Sequence, residues 1–125
     1  MNLSLQGKTA LVCGSTQGIG LACARQLAEE GCDLHLASRT KADLERARES
    51  IQARHNVSVT IHPCDLSNGD TARSLAAACK DIDILVNNAG IVYRRTLRNL
   101  ERERWQRVLD VNLTGTMLGM RAVIE

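Results

Sequence analysis

Short apolar runs alternate with amphipathic segments along the chain. The apolar runs cover residues 8–13, 33–38, 57–62 and 82–87. Runs of this length that are apolar at nearly every position are typical of strands whose two faces are both buried. The segments between them carry apolar residues at helical spacing. The pattern therefore predicts four strands, each followed by a helix.

Capping residues mark the predicted starts of two helices. Thr40 with Asp43, and Ser67 with Asp70, have the spacing of a capping box. The first pair predicts a second helix that runs from about residue 40 to about residue 55. The other pair predicts that the third helix begins after Ser67.

The alternation of strands and helices predicts an α/β fold with a parallel sheet. Right-handed crossovers place the first three strands in the order 3-2-1. A fourth strand on the other side of the first gives the order 3-2-1-4, a Rossmann-type sheet with flanking helices. In such a sheet, a ligand crevice opens at the carboxyl ends of the first and fourth strands.

Composition narrows the class of protein. The 125 residues, 44% of them hydrophobic and 24% charged, are typical of one soluble domain. A net charge of +2 and the scarcity of aromatic residues argue against a nucleic-acid partner. The basic stretch 94–107 could suit an anionic substrate or RNA, but a solvated helix start explains it better.

The apolar runs, the cysteines and the histidines of the sequence bear on cellular location and on metal binding. No apolar run approaches the roughly 18 residues of a membrane helix, and residues 1–8 lack the features of a signal peptide. The five cysteines contain no C-x-x-C pair, and the three histidines are scattered. We therefore expect a cytoplasmic protein that has no membrane contact and no metal site.

A glycine-rich turn joins the first predicted strand to the first helix. It consists of Gly14, Ser15, Thr16, Gln17, Gly18, Ile19 and Gly20. Glycine lets a ligand approach the backbone closely, and the free amides at a helix start bind phosphate groups. The spacing G-x-x-x-G-x-G differs from G-x-G-x-x-G and from a P-loop. The turn could be purely structural, but its position favours pyrophosphate binding and makes residues 1–125 a predicted dinucleotide-binding domain.

The end of the second strand bears on cofactor choice. An acidic residue there would bind the ribose 2′-hydroxyl of NAD, whereas an arginine would pair with the 2′-phosphate of NADP. The sequence has Ser38 and Arg39 at this point. NADP(H) is therefore predicted as the preferred cofactor, with NAD(H) possible. The alternative is that Arg39 only faces water.

A polar residue interrupts an apolar stripe in the last predicted helix, which runs from near Leu100 to the end of the chain. The stripe comprises Trp105, Val108, Leu109, Asn112, Leu113, Thr116, Met117 and Met120. The spacing predicts that Asn112 is buried. An unpaired buried amide costs about 1–3 kcal/mol, so Asn112 is predicted to have hydrogen-bond partners.

Together these motifs resemble the short-chain dehydrogenase/reductase family over the whole chain. The resemblance rests on four motifs in order: the glycine turn, Asp65-Leu66, Asn87-Asn88-Ala89-Gly90, and Asn112 within residues 111–115. One departure is Cys13, where the family usually has threonine. The resemblance implies hydride transfer between a nicotinamide cofactor and a small carbonyl or alcohol substrate.

The resemblance also implies roles for individual residues. Asp65 would accept a hydrogen bond from the adenine amino group, and Leu66 would pack beside the ring. Asn87 and Asn88 would bond neighbouring backbone, Ala89 belongs to the same turn, and Gly90 would leave space for the cofactor. Asn112 would hold a water in the proton relay. The competing interpretations are that Asp65 caps the next helix, that residues 87–90 are a structural turn, and that Asn112 is a core amide.

Catalysis in the family also requires a serine and a Tyr-x-x-x-Lys pair. The only tyrosine here is Tyr93, and Leu97 stands four positions later. We therefore expect residues 1–125 to be inactive by themselves. Because the last helix also lacks a stop signal, we expect them to be the cofactor-binding half of an NADP(H)-dependent oxidoreductase.

Strand four would also leave an open edge, which predicts a homo-oligomer or pairing through that edge. Two alternatives remain open. One is a non-catalytic nucleotide-binding or interaction module, and the other is a half-enzyme that a separate chain completes.

Overall fold

The computed structural model describes residues 2–124 and confirms the predicted sheet. Its parallel strands are β1 (Thr9–Cys13), β2 (Asp33–Ser38), β3 (Val59–Pro63) and β4 (Ile84–Asn87). The strand order is β3-β2-β1-β4. The connecting helices are α1 (Gly18–Glu29), α2 (Lys41–Gln52) and α3 (Gly69–Ala78). These elements make a Rossmann-type fold.

Helical structure after β4 is interrupted in a way that periodicity did not predict. A short 3-10 turn (Leu97–Asn99) precedes α4 (Arg102–Leu109), and α5 (Gly115–Ile124) follows. Between these two helices, residues Asp110–Thr114 form a π-helical stretch. No helix in the described range combines the length and hydropathy needed to cross a bilayer.

Side chains of alternate residues in the central strands pack into two hydrophobic cores, one on each face of the sheet. Val12, Leu34 and Leu36 lie on the face that α1 and α2 cover. Leu11 and Cys13 lie on the opposite face with α3 residues. Both faces of β1 are therefore buried, which explains why residues 10–13 are all apolar instead of alternating with polar residues.

The helix starts differ in detail from the predicted capping boxes. Thr40 is the N-cap residue of α2, but its side chain makes no capping hydrogen bond. The third helix is capped by Asn68, whose Oδ1 accepts from the amides of Asp70 (2.9 Å) and Thr71 (3.4 Å). The prediction that Ser67 caps α3 is wrong because its hydroxyl donates instead to Asp65, at 2.7 Å.

The last helix packs through glycines, and its predicted apolar stripe does not form the packed face. Trp105 is 54% exposed and Leu113 65% exposed. The packed face instead contains Gly115 and Gly119, one turn apart. A Cβ on Gly115 would lie 3.1 Å from the carbonyl oxygen of Leu66. A side chain at Gly115 would therefore force its neighbours to shift by a few tenths of an ångström, so α5 approaches them more closely than most side chains allow.

Candidate functional site

A crevice opens where the strands end, at the position that the predicted topology required. Its walls come from the turn after β1, the ends of β2 and β3, the loop after β4, and α4 with the π-helical stretch. The lining residues are Gly14, Thr16, Gln17, Ala37, Ser38, Arg39, Cys64, Asp65, Leu66, Ser67, Asn88, Ala89, Gly90, Ile91, Arg107 and Val111.

The glycine turn is closely packed under the crevice. Gly14 has φ +68°, and a Cβ at this position would lie 3.0 Å from Ala89 Cα. A Cβ on Gly20 would lie 2.0 Å from the carbonyl oxygen of Gly14. The first turn of α1 is therefore packed against the backbone of Gly14, the residue that follows β1 and lines the crevice.

Two features leave polar groups available at this turn. Gln17, the N-cap residue of α1, makes no side-chain capping bond, so the first-turn amides lack a capping partner. Ser15 is fully buried, and its Oγ has no hydrogen-bond partner among residues 2–124. A buried hydroxyl without a partner is unusual in a native protein. The donors that this turn offers to a ligand are therefore the uncapped first-turn amides, since Ser15 is enclosed and does not line the crevice.

Two asparagines fix the loop that follows β4. Asn88 Nδ2 donates to the Gly14 carbonyl oxygen at 3.1 Å. Asn112 makes two 2.8 Å hydrogen bonds with Ile91, accepting from its amide and donating to its carbonyl oxygen. These bonds tie the loop to both β1 and the π-helical stretch. The predicted partners of Asn112 exist.

The predicted burial of Asn112 is wrong. The side chain is exposed because the stripe to which it belongs points away from the packed face of the helix. The Asn112 amide is satisfied by the backbone of Ile91, as in the structural alternative for this residue.

The remaining predicted residues do not all line the crevice. Within the glycine turn, Ser15 and Gly20 are buried, while Gly18 and Ile19 are exposed at the start of α1. Asn87 points toward α5, where a Cβ on Gly119 would lie 3.2 Å from its Oδ1. Asn87 and Asn88 therefore contact different neighbours, α5 and the glycine turn.

Asp65 is held by residues from two elements. Its Oδ1 accepts from the Ser67 amide at 3.0 Å and from the Ser67 hydroxyl at 2.7 Å. Arg107 of α4 lies 3.4 Å from Asp65 Oδ2 and donates to Ser67 Oγ at 3.2 Å. The hydrogen bond from Ser67 is the main cause that lowers the pKa of Asp65, with Arg107 contributing and partial burial opposing. Asp65 therefore does not cap α3, and it carries a charge in the crevice wall.

Sequence reasoning missed Arg107 as a crevice residue. It belongs to the basic stretch 94–107, which is largely exposed as expected. The feature of the sequence that could have identified Arg107 is its position one helical turn before Val111, on the same side of the helix as Gly115. Only the packing of this glycine-bearing face showed that Arg107 faces Asp65.

We expect the Asp65 cluster to stabilise the fold above about pH 4 and to lose that contribution in acid. The pKa of Asp65 is lowered from 3.8 in the folded chain. The contribution is therefore fully present above that value and disappears as pH falls through the folded pKa. Asp65→Asn should cost less than about 1 kcal/mol near neutral pH, since solvent screens a side chain that is 43% exposed.

Urea denaturation between pH 7 and pH 2 measures this difference. Asp81→Asn is the matched control, because Asp81 is exposed and lies outside the cluster. A stability gap between Asp65→Asn and the unmodified chain that widens toward pH 2 would contradict the assignment.

Arg39 lies at the crevice mouth beside Ser38. Both residues line the crevice, and Arg39 is exposed. Within the described part of the chain, no carboxylate forms an ion pair with Arg39. Its guanidinium group is therefore available to an anionic ligand as well as to water.

Comparisons with a family model and with curated proteins indicate the same family. The model for "short chain dehydrogenase" matches residues 8–125. The chain is 36% identical to 3beta-hydroxysteroid dehydrogenase 1 of Eggerthella lenta, over 97% of this chain and 48% of that protein. It is 40% identical to D-beta-hydroxybutyrate dehydrogenase of Cupriavidus necator, over 89% of this chain and 44% of that protein. The chain thus spans about half the length of the curated relatives it matches.

Solved structures agree with the sequence comparison. L-sorbose reductase from Gluconobacter frateurii, complexed with NADPH and L-sorbose, superposes with a TM-score of 0.93 at 28% identity, covering 99% of this chain and 49% of that one. A metagenomic short-chain oxidoreductase in complex with NADP gives a TM-score of 0.91 at 32% identity, covering 97% and 57%.

Proposed function

The chain belongs to the short-chain dehydrogenase family, and we propose that its crevice binds a nicotinamide dinucleotide, with NADP(H) preferred over NAD(H). The single observation that carries the proposal is the glycine turn. There, Gly14, Thr16 and Gln17 line the crevice, and the first-turn amides of α1, which begin directly after Gln17, have no side-chain cap. A diphosphate can accept from such donors, and the positive end of the α1 dipole favours its charge.

The residues around the turn fit the rest of the cofactor. Arg39 and Ser38 would hold a 2′-phosphate, because a guanidinium group pairs well with a phosphate dianion. Asp65 would accept from the adenine amino group, with Leu66 beside the ring. A bound nicotinamide supplies a hydride donor or acceptor. Asn88, Ala89 and Gly90 would form the wall past which the cofactor runs.

The chemistry of the whole protein is proposed from its relatives. Two relatives are named as dehydrogenases of a hydroxysteroid and of hydroxybutyrate, and a solved one as a sorbose reductase. We infer a small carbonyl or alcohol substrate and a hydride transfer reaction. Asn112 would contribute by positioning a water for the proton relay. Because residues 1–125 contain no Tyr-x-x-x-Lys, we expect them to bind the cofactor without turnover as the cofactor-binding domain.

The free thiols and the edge of the sheet bear on where the protein is located and how it assembles. All five cysteines are free thiols, which suits a reducing compartment such as the cytoplasm. The strand β4 lies at an edge of the described sheet, and an edge strand can pair with another chain. We propose a homo-oligomer or a pairing through this edge.

Fluorescence titration of the purified chain with NADPH tests the proposal. We expect saturable binding of one NADPH per chain, weaker binding of NADH, and displacement by 2′,5′-ADP more readily than by 5′-ADP. The same samples, mixed with a panel of ketones and aldehydes, should consume no NADPH at enzymatic rates.

Each outcome of this titration is informative. Absence of saturable NADPH binding would overturn the dinucleotide site. Equal displacement by both ADP forms would overturn the proposed 2′-phosphate selectivity. Enzymatic reduction of a ketone by residues 1–125 would show that the proton donor lies within them.

A further inference from the structure

Three potential metal ligands from distant parts of the sequence meet outside the cofactor crevice. His35 lies on β2 and His62 on β3, and Cys79 follows the last residue of α3. The Nδ1 atom of His35 and the Nε2 atom of His62 are 2.8 Å apart. The Cys79 Sγ lies 3.7 Å from the same His62 nitrogen. The three ligand atoms all lie within 4.8 Å of one another.

The strand register explains how the cluster forms. His62 pairs with Ala37 across the β2–β3 ladder, two residues beyond His35. Residues two apart on a strand point to the same face, so both imidazoles lie on one side of the sheet. Their rings stack with centroids 5.0 Å apart. The end of α3 brings Cys79 against the same face.

The separation of one pair of these atoms is close to that in a metal site, and the imidazole pair is slightly closer than in such a site. In a tetrahedral zinc site with Zn–N of about 2.0–2.1 Å and Zn–S of about 2.3 Å, nitrogen and sulfur lie about 3.5 Å apart. The observed 3.7 Å between Cys79 Sγ and His62 Nε2 fits this value. Two ligating nitrogens would lie about 3.3 Å apart, so the imidazole pair would open by about half an ångström.

The protonation states of the imidazoles also suit coordination. Burial lowers the pKa of His35, and burial together with the charge of His35 lowers the pKa of His62. Neutral imidazoles are the ligating form. Cys79 is 3% exposed, and burial raises the pKa of its thiol to about 11. Coordination by Cys79 would therefore release one proton to solvent as the metal–sulfur bond replaces the S–H bond.

We propose that His35, His62 and Cys79 bind one zinc ion, with the fourth position open to water. Two imidazoles and a thiolate form a donor set that zinc accepts. The ion would link the edge strand β3 to β2 and to the end of α3. The site shares none of its ligands with the crevice lining. The linear spacing of histidine and cysteine predicted no metal site, because the ligands lie 27 and 17 residues apart in sequence.

Calorimetric titration of the purified, metal-free chain with Zn²⁺ tests the site. We expect one ion per chain and, from titrations in buffers of different ionisation enthalpy, release of one proton per ion. Cobalt(II) in place of zinc should add a thiolate-to-cobalt charge-transfer band in the near ultraviolet. Saturating Zn²⁺ should raise the thermal midpoint, since the ion binds the folded chain.

Matched variants separate the cluster from other thiols and imidazoles. His62→Gln and Cys79→Ser should each weaken zinc binding at least tenfold, and Cys79→Ser should remove the charge-transfer band. His55→Gln and Cys23→Ser should leave affinity unchanged, because neither residue belongs to the cluster.

Several results would overturn the site. They are the absence of saturable zinc binding by the unmodified chain, a cobalt spectrum without a thiolate band, and equal weakening by the control variants. If His62→Gln or Cys79→Ser fails to fold, the cobalt spectrum and the proton count of the unmodified chain still decide the question. None of these measurements depends on dinucleotide binding.

Discussion

Gly20→Ala is expected to abolish measurable NADPH binding and to destabilise the fold by about 3 kcal/mol, the upper end of the usual overpacking cost. A Cβ at this position would lie 2.0 Å from the carbonyl oxygen of Gly14 and 2.6 Å from Asn88 Nδ2. The first contact is with backbone, so a change of rotamer cannot relieve it. The start of α1 would move away from β1, and the proposed diphosphate site would move with it.

Urea denaturation and NADPH titration together measure this effect. Gly69→Ala is the matched control, because a Cβ on Gly69 would meet only Leu118 Cδ1, at an ordinary 3.7 Å. Gly69 is the first residue of α3, where alanine is well tolerated. The control should bind NADPH normally and lose no stability. Gly20→Ala that binds NADPH like the unmodified chain would contradict the placement of the diphosphate at this turn.

Arg39→Ala is expected to lower NADPH affinity about ten- to a hundredfold, since a hydrogen bond to a charged group contributes about 1.5–3 kcal/mol. The affinity for NADH should change less than about twofold, because NADH carries no 2′-phosphate. Arg39 is exposed, so the effect on NADPH should shrink as salt is added. Loss of affinity for the two cofactors to the same extent would show that Arg39 does not read the 2′-phosphate.

The measurement is a pair of titrations, with NADPH and with NADH, at low and at physiological ionic strength. Arg54→Ala provides the control, since Arg54 is an exposed arginine after α2 that does not line the crevice. It should leave both affinities unchanged, which excludes a general effect of net charge on cofactor binding.

Local sequence patterns were sufficient for the strands and for their order. The predicted strand 33–38 matches β2 in full, and the other three begin or end within two residues of prediction. These runs are apolar because both faces of the sheet are covered, so burial and sequence pattern have one cause. The order of the first three strands then followed from the handedness of the crossovers, and the expected place of the fourth strand beside the first is confirmed.

Side-chain placement on the last helix could not be read from periodicity. The stripe through Trp105 and Leu113 has helical spacing, but an apolar stripe does not identify which surface will cover it. The helix packs instead through Gly115 and Gly119, whose lack of a side chain gives no hydrophobic signal. For this reason Asn112 lies on the exposed side of the helix. The prediction that Asn112 has hydrogen-bond partners is confirmed.

The order of residues by itself determined the fold class, the order of the first three strands and the position of the glycine turn, because each depends on short-range patterns and on chirality. Only the tertiary structure decided that Arg107 restrains Asp65. It also brought His35, His62 and Cys79 together. These contacts depend on how closely helices and strands approach and on which atoms compete for one partner. Such distances are set by packing, which no spacing along the chain encodes.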